Sequence, residues 1–142
     1  MINKLQYYIS SSYNPYINLA TEKHLLDTVD PDCVILYLWQ NENTVVIGKN
    51  QNAWSECRIE ELKAAGGKLA RRLSGGGAVY HDLGNLNFTF LCSKEHYDLA
   101  KQMHVIQTAC SLAGIETELS GRNDLLANGK KFSGNAFYNT QG

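Results

Sequence analysis

A chain of 142 residues with 44% apolar and 19% charged side chains is long enough to bury a core and reads as one globular domain or most of one. Its formal net charge of −1 offers no basic excess, so neither nucleic acid nor a membrane surface is an expected partner. Cys33, Cys57, Cys92 and Cys110 are widely and irregularly spaced, which argues against a zinc site or a disulfide framework and for reduced thiols in a cytoplasmic protein. Residues 1–5 lack the apolar stretch of a signal peptide, and no run is long enough to span a bilayer.

Asn14-Pro15 marks a turn into a first helix, because proline is tolerated only near a helix start. Along it Leu19, Glu22, Leu26 and Val29 follow at i, i+3, i+7 and i+10, with Leu25 beside them, which sets Glu22 on the apolar stripe. Glu22 is then either a structural carboxylate hydrogen-bonded to nearby backbone or a direct participant in the chemistry. Residues 33–39 and 44–47 are rich in β-branched and aromatic side chains and read as adjacent strands joined by Gln40-Asn41-Glu42-Asn43. A helix over residues 56–65 stops at Gly66-Gly67, and residues 68–72 form a strand. Residues 79–81 and 87–91 read as two more strands, separated by Asp82-Leu83-Gly84-Asn85. Ser93 is the expected N-cap of the next helix, whose apolar positions Leu99, Met103, Ile106, Cys110 and Ala113 end at Gly114. Met103 on that stripe belongs to the core. Residues 116–119 and 124–127 are strands, and Asn128-Gly129 signals a hairpin that brings Lys130-Lys131-Phe132 back. The fold class expected is α+β, a mixed sheet with helices packed on it.

Between the strands at 68–72 and 79–81 lies Arg71-Arg72-Leu73-Ser74-Gly75-Gly76-Gly77-Ala78. Three consecutive glycines cost backbone entropy and pack nothing, so either a group approaches the main chain closely there or the run is a flexible surface turn, a reading that the flanking arginines and the strand-like residues 78–80 disfavour. A polyanion fits, because amide N–H groups can converge on phosphate oxygens while Arg71, Arg72 and Ser74 add donors. Neither a P-loop nor a dinucleotide fingerprint is present.

The run from Arg71 to Phe90, followed by Gly121-Arg122-Asn123-Asp124-Leu125-Leu126 and by Lys130-Lys131-Phe132-Ser133-Gly134-Asn135-Ala136, resembles lipoate-protein ligases. Asn18-Leu19-Ala20, Leu38-Trp39, Thr44-Val45-Val46-Ile47-Gly48 and Gln51-Asn52 follow the family in style and order, so the resemblance covers essentially the whole chain. It implies the catalytic fold shared with biotin ligases and class II aminoacyl-tRNA synthetases. It also implies an enzyme that activates lipoate with ATP and Mg2+ to lipoyl-adenylate, then transfers lipoyl to a lysine of a carrier domain such as glycine cleavage H protein or a dehydrogenase E2.

On that resemblance Lys131 matches the reactive-site lysine, an electrostatic catalyst reaching both the lipoyl carbonyl and the α-phosphate. Arg72 matches an arginine that contacts ATP, and Ser74, Gly75, Gly76, Gly77, Ala78, Val79 and Tyr80 match the stretch bordering the nucleotide. Trp39 is either a wall of the apolar slot that a lipoyl chain needs or an ordinary core residue. His81 belongs with the lipoate site or is a structural histidine; a base is not needed, since the acid is already ionised at neutral pH. Asn85 and Asp124 could support metal or nucleotide, or cap turns. Members of the family are longer, so the chain is expected to be the N-terminal part of the catalytic domain, with unpaired edges open to self-association. The rival activities are octanoyl transfer, which requires a nucleophilic cysteine in place of ATP, biotin ligation, and non-catalytic lipoate binding.

Overall fold

The computed structural model describes residues 1–121 and 124–140, which divide into one unit built on Met1–His96 with the chain from Tyr138, and a second over Tyr97–Phe137. Mixed sheets and helices make up the first, as the α+β reading expects, but the strands are shared between two three-stranded sheets. In one, β1 (Lys4–Ile9) runs parallel to β2 (Cys33–Trp39), and β6 (Asn87–Cys92) pairs antiparallel to the other edge of β2. In the other, β3 (Thr44–Ile47) lies between β4 (Lys68–Arg71), parallel to it, and β5 (Val79–His81), antiparallel to it.

The first helix, α1 (Pro15–Thr28), begins where Asn14 Oδ1 accepts the N–H of Tyr16 at 2.9 Å, with Pro15 in the first turn. Its Leu19, Leu25, Leu26 and Val29 pack on a buried cluster of Cys33, Ile35, Tyr37, Trp39 and Leu91. Cys33, Ile35, Tyr37 and Trp39 alternate along β2 as the period of a strand requires, Leu91 joins them from β6, and each fully buried large apolar side chain is worth about 1.5–3 kcal/mol.

Three points of the sequence reading are corrected here. Strands β2 and β3, consecutive in the chain, are not paired; residues 40–43 carry the backbone from one sheet to the other. The cause is local: Asn41 is fully buried in a hydrogen-bonded network and Asn43 takes a positive φ of 41°, so the segment is anchored inward instead of closing a hairpin. β1 carries no periodic signal in the sequence. It is an edge strand exposed along its whole length, so it lacks the buried/exposed alternation by which strands are read. The helix expected over residues 56–65 is two short ones, α2 (Ala53–Glu56) and α3 (Ile59–Ala64), broken at Cys57, which is extended with φ −143°.

After β6 the chain makes a 3-10 turn at Lys94–His96 before the second unit. Its helix α4 (Leu99–Leu112) starts later than expected: Asp98, not Ser93, is the cap, with Oδ1 accepting the Lys101 N–H at 3.1 Å. Ser93 instead donates its hydroxyl to the carbonyl of Pro31. β7 (Glu118–Ser120), β8 (Asp124–Ala127) and β9 (Lys130–Gly134) form an antiparallel sheet in chain order. Asn128 and Gly129 both have positive φ, 50° and 72°, which is the backbone of the two-residue hairpin that Asn-Gly signals. Met103 and Leu125 are buried in this unit. Among the described residues no helix is long and apolar enough to cross a membrane.

Candidate active site

The glycine loop leaves β4 at Arg71. Its first contact continues the sheet, with the Arg72 N–H donating to Ile47 O at 3.0 Å. The Arg72 side chain then turns back on the loop: Nε and Nη2 donate to Gly75 O, Nη2 to Gly77 O at 2.8 Å, and Nη1 to Val46 O. Burial pulls its pKa below the usual guanidinium value, but arginine stays charged. With these carbonyls drawn onto the guanidinium, the N–H groups of Gly75, Gly76 and Gly77 have no protein acceptor among the described residues, and all three glycines are exposed. Gly76 has φ +97°, a region closed to most side chains, and a Cβ there would stand 2.8 Å from Arg72 Nη2. Gly77 differs, since a Cβ there meets nothing within 4 Å.

A second loop, at residues 48–51, braces the first. The Lys49 N–H donates to Ser74 O at 2.9 Å, the Gly48 N–H donates to Gln51 Oε1 at 2.8 Å, and Arg71 Nη1 donates to the carbonyls of Gly48, Lys49 and Gln51. Gly48 touches the glycine loop so closely that a Cβ would lie 2.2 Å from Gly76 O. Sequence reading did not pick out this brace; its signal was the glycine that ends the Thr-Val-Val-Ile strand. Of the remaining nucleotide residues, Val79 and Tyr80 lie on β5 opposite Val46 and Val45, and the Tyr80 hydroxyl donates to Asn43 Oδ1. Asn85 closes the turn after β5, where its N–H donates to Asp82 O and its Nδ2 to Asn87 Oδ1.

Trp39 and His81 come together, with ring centroids 6.3 Å apart and edge to face. Trp39 is 7% exposed and stacks on Tyr37. Its Nε1 donates to Thr89 Oγ1 at 3.1 Å, and Thr89 in turn donates to Glu22 Oε1 at 2.7 Å. Glu22 is therefore a partnered carboxylate, bonded to a side chain and not to backbone as expected. Burial pushes its pKa up, with the Thr89 hydrogen bond opposing.

His81 ends a second polar chain. Asn18 Nδ2 donates to the carbonyls of Ser12 and Gln40 and to Asn41 Oδ1, which leaves Asn41 Nδ2 as the donor to His81 Nδ1 at 3.1 Å. The ring thus carries its proton on Nε2 and is neutral. Burial lowers its pKa below 6.5, the Arg72 charge lowers it further, and Asp82 opposes. A histidine whose native pKa is depressed contributes stability that is complete above about pH 6.5 and is lost as pH falls through the native pKa. Thermal unfolding between pH 8 and pH 5 should therefore fall more steeply for the wild type than for His81→Gln. Parallel curves would contradict this.

In the second unit Lys131 lies on β9 with Nζ 3.0 Å from Asp124 Oδ1 on β8, and both side chains are partly exposed. Gly134 leaves the room they use, since a Cβ there would sit 3.0 Å from Lys131 Nζ. Lys130 is exposed. Arg122 and Asn123, part of the second motif, lie outside the described residues.

Residues 14–142 match the lipoyl protein ligase A/B catalytic domain model. The chain belongs to the lipoyl protein ligase A/B catalytic domain family. Lipoate-protein ligase A of Psychrobacter cryohalolentis is 51% identical over 137 residues, 96% of this chain but 40% of the relative. The chain thus spans about 40% of the length of the curated relatives it matches. Among solved ligase structures, P. falciparum LipL1 in complex with lipoate superposes with a TM-score of 0.88 at 37% identity, covering 98% of this chain and 45% of that one. A lipoate-protein ligase A bound with ATP gives 0.79 at 29% identity, covering 96% and 61%. The bi-partite lipoate protein ligase of Thermoplasma acidophilum, described with its E2 lipoyl domain, gives 0.79 at 29%, covering 96% and 56%. The mixed-sheet fold expected of this ligase family is the fold observed.

Proposed function

We propose that the chain carries the lipoate-activating residues of an ATP-dependent lipoate–protein ligase. The observation that supports this most is the glycine loop: the carbonyls of Gly75 and Gly77 accept from Arg72, while the N–H groups of the three exposed glycines have no protein acceptor among the described residues and are free to take phosphate oxygens. Arg72, Ser74 to Gly77, Ala78, Val79 and Tyr80 take ATP, and Trp39 and His81 border the lipoyl chain. The lipoate carboxylate attacks the α-phosphorus, the bond to the leaving pyrophosphate breaks, and lipoyl-adenylate forms. Lys131 supplies positive charge to the carbonyl and the α-phosphate as negative charge builds on the phosphoryl oxygens. A carrier lysine then attacks the acyl carbon, forming an amide and releasing AMP; a lipoyl domain of a dehydrogenase E2 or glycine cleavage H protein is the proposed acceptor.

Mg2+ enters with ATP in this reading. Asn85 or Asp124 would support that ion, each offering a side-chain oxygen of the kind Mg2+ takes. Cys33 is fully buried and burial raises the pKa of Cys92, neither of which suits the thiolate that octanoyl transfer requires. All four thiols are free, in keeping with a cytoplasmic reaction.

Register puts Leu5, Tyr7 and Ile9 on one sheet face with Val34, Leu36, Leu38, Phe88 and Phe90, and the three β1 side chains are 79%, 77% and 61% exposed. The polypeptide that makes up the rest of the relatives' length is the proposed cover for this row, and carrier lipoylation is proposed to need it. Incubation with ATP, Mg2+, lipoate and a lipoyl domain tests both parts. The expected outcome is pyrophosphate release that depends on lipoate and not on biotin once the chain is extended to its relatives' length, with no mass gain on the carrier from the 142-residue chain alone. Octanoyl transfer without ATP would replace this reading.

A further inference from the structure

Arg71 has no role in the chemistry proposed above, yet one of its nitrogens gathers three backbone carbonyls. Nη1 lies 3.1 Å from Gly48 O, 3.2 Å from Lys49 O and 2.6 Å from Gln51 O. Carbonyls that converge in this way repel one another, so the guanidinium adds to the turn's own bonds, Gln51 N–H to Gly48 O and Gly48 N–H to Gln51 Oε1, in holding the loop at 48–51. That loop is in turn what the glycine loop rests on. Lys49 N–H holds Ser74 O, and Gly48 approaches Gly76 O with no space for a methyl group.

We propose that Arg71 is a positioning residue for the nucleotide, acting through the 48–51 loop to hold the backbone of Gly75, Gly76 and Gly77, whose N–H groups have no protein acceptor among the described residues. This rests on the reading of the glycine loop as the ATP site. The two adjacent arginines then divide the work. Arg72 draws in the carbonyls of the glycine loop itself, with Nε and Nη2 on Gly75 O and Nη2 also on Gly77 O, and ties the loop to β3 through Nη1 and Val46 O, whereas Arg71 uses a single nitrogen. A single point of positive charge with several donors is what a lysine ammonium also provides, so Arg71, unlike Arg72, should accept lysine.

The test compares the chain with its Arg71→Ala and Arg71→Lys variants. Amide spectra and hydrogen exchange are recorded without ligand, and ATP with Mg2+ and lipoate are then titrated separately by calorimetry. In Arg71→Ala the amides of Lys49, Gly75, Gly76 and Gly77 should shift and the Lys49 N–H should lose protection, while the amides of α1 keep their positions as the control for folding. ATP affinity should fall at least about tenfold with lipoate affinity changed less than about twofold, and Arg71→Lys should recover ATP affinity to within about threefold of wild type. Unshifted glycine amides in Arg71→Ala, equal losses for ATP and lipoate, or no recovery with lysine would each overturn the proposal. A wild-type chain that binds no ATP would sink the nucleotide reading instead, and the ligand-free spectra would still decide whether Arg71 shapes the loop.

Discussion

Lys131→Ala should abolish lipoyl-adenylate formation in a chain extended to its relatives' length while leaving the second unit folded. The partly exposed pair it makes with Asp124 is worth at most about 1 kcal/mol, so stability changes little. Adenylation has more to lose, because negative charge grows on the phosphoryl oxygens in the transition state, and removing one fixed donor or cation there costs on the order of 3 kcal/mol, roughly a hundredfold or more in rate. Lys131→Arg should restore little, since a planar fork cannot stand in for a compact ammonium directed at two oxygens. Asp124→Asn should have a smaller effect, as it frees the ammonium without removing it. Single-turnover adenylation rates decide the matter; a near-normal rate in Lys131→Ala would remove this residue from the chemistry.

Gly48→Ala should cost both stability and ATP binding, although alanine is the smallest change available. Its Cβ would lie 2.2 Å from Gly76 O and 3.3 Å from Gly75 C, contacts with backbone that no rotamer can relieve. Forcing a methyl group into such a space costs typically about 1–3 kcal/mol, and here it also pushes the glycine loop outward. Gly76→Val should lower ATP affinity for a related reason, through a β-branched side chain at φ +97° and its contact with Arg72. Gly77→Ala is the contrast: its Cβ meets open space, so stability should stay near wild type whatever happens to ATP. Chemical denaturation with separate ATP and lipoate titrations would distinguish these cases. Gly48→Ala with unchanged stability and unchanged ATP affinity would mean that the two loops do not depend on each other.

Much of this was legible in the sequence where a local rule has one dominant cause. Asn14-Pro15 marked a helix start, Asn128-Gly129 a hairpin, and three glycines between strands an exposed loop, with Gly76 at a φ of 97°. What was not legible depends on contacts far apart in the chain. Whether β2 and β3 pair is decided by the burial of Asn41 between Asn18 and His81, residues 23 and 40 positions away from it. β1 shows no alternation because its whole length is exposed. The partner of Glu22 proved to be Thr89, 67 residues on, which no helical periodicity can reveal. The brace from Arg71 was hidden for the same reason: a guanidinium beside a glycine loop looks like an anion ligand until the carbonyls on which it closes are known.

Titration with a non-hydrolysable lipoyl-adenylate analogue, followed at the amides of Gly75, Gly76 and Gly77 and at the Lys131 side chain, tests most directly that this chain carries the residues that activate lipoate. The expected result is saturable binding that shifts the glycine amides and the lysine signal together, with the biotinyl counterpart binding far more weakly. Absence of binding, or binding of both analogues alike without movement of the glycine amides, would contradict it.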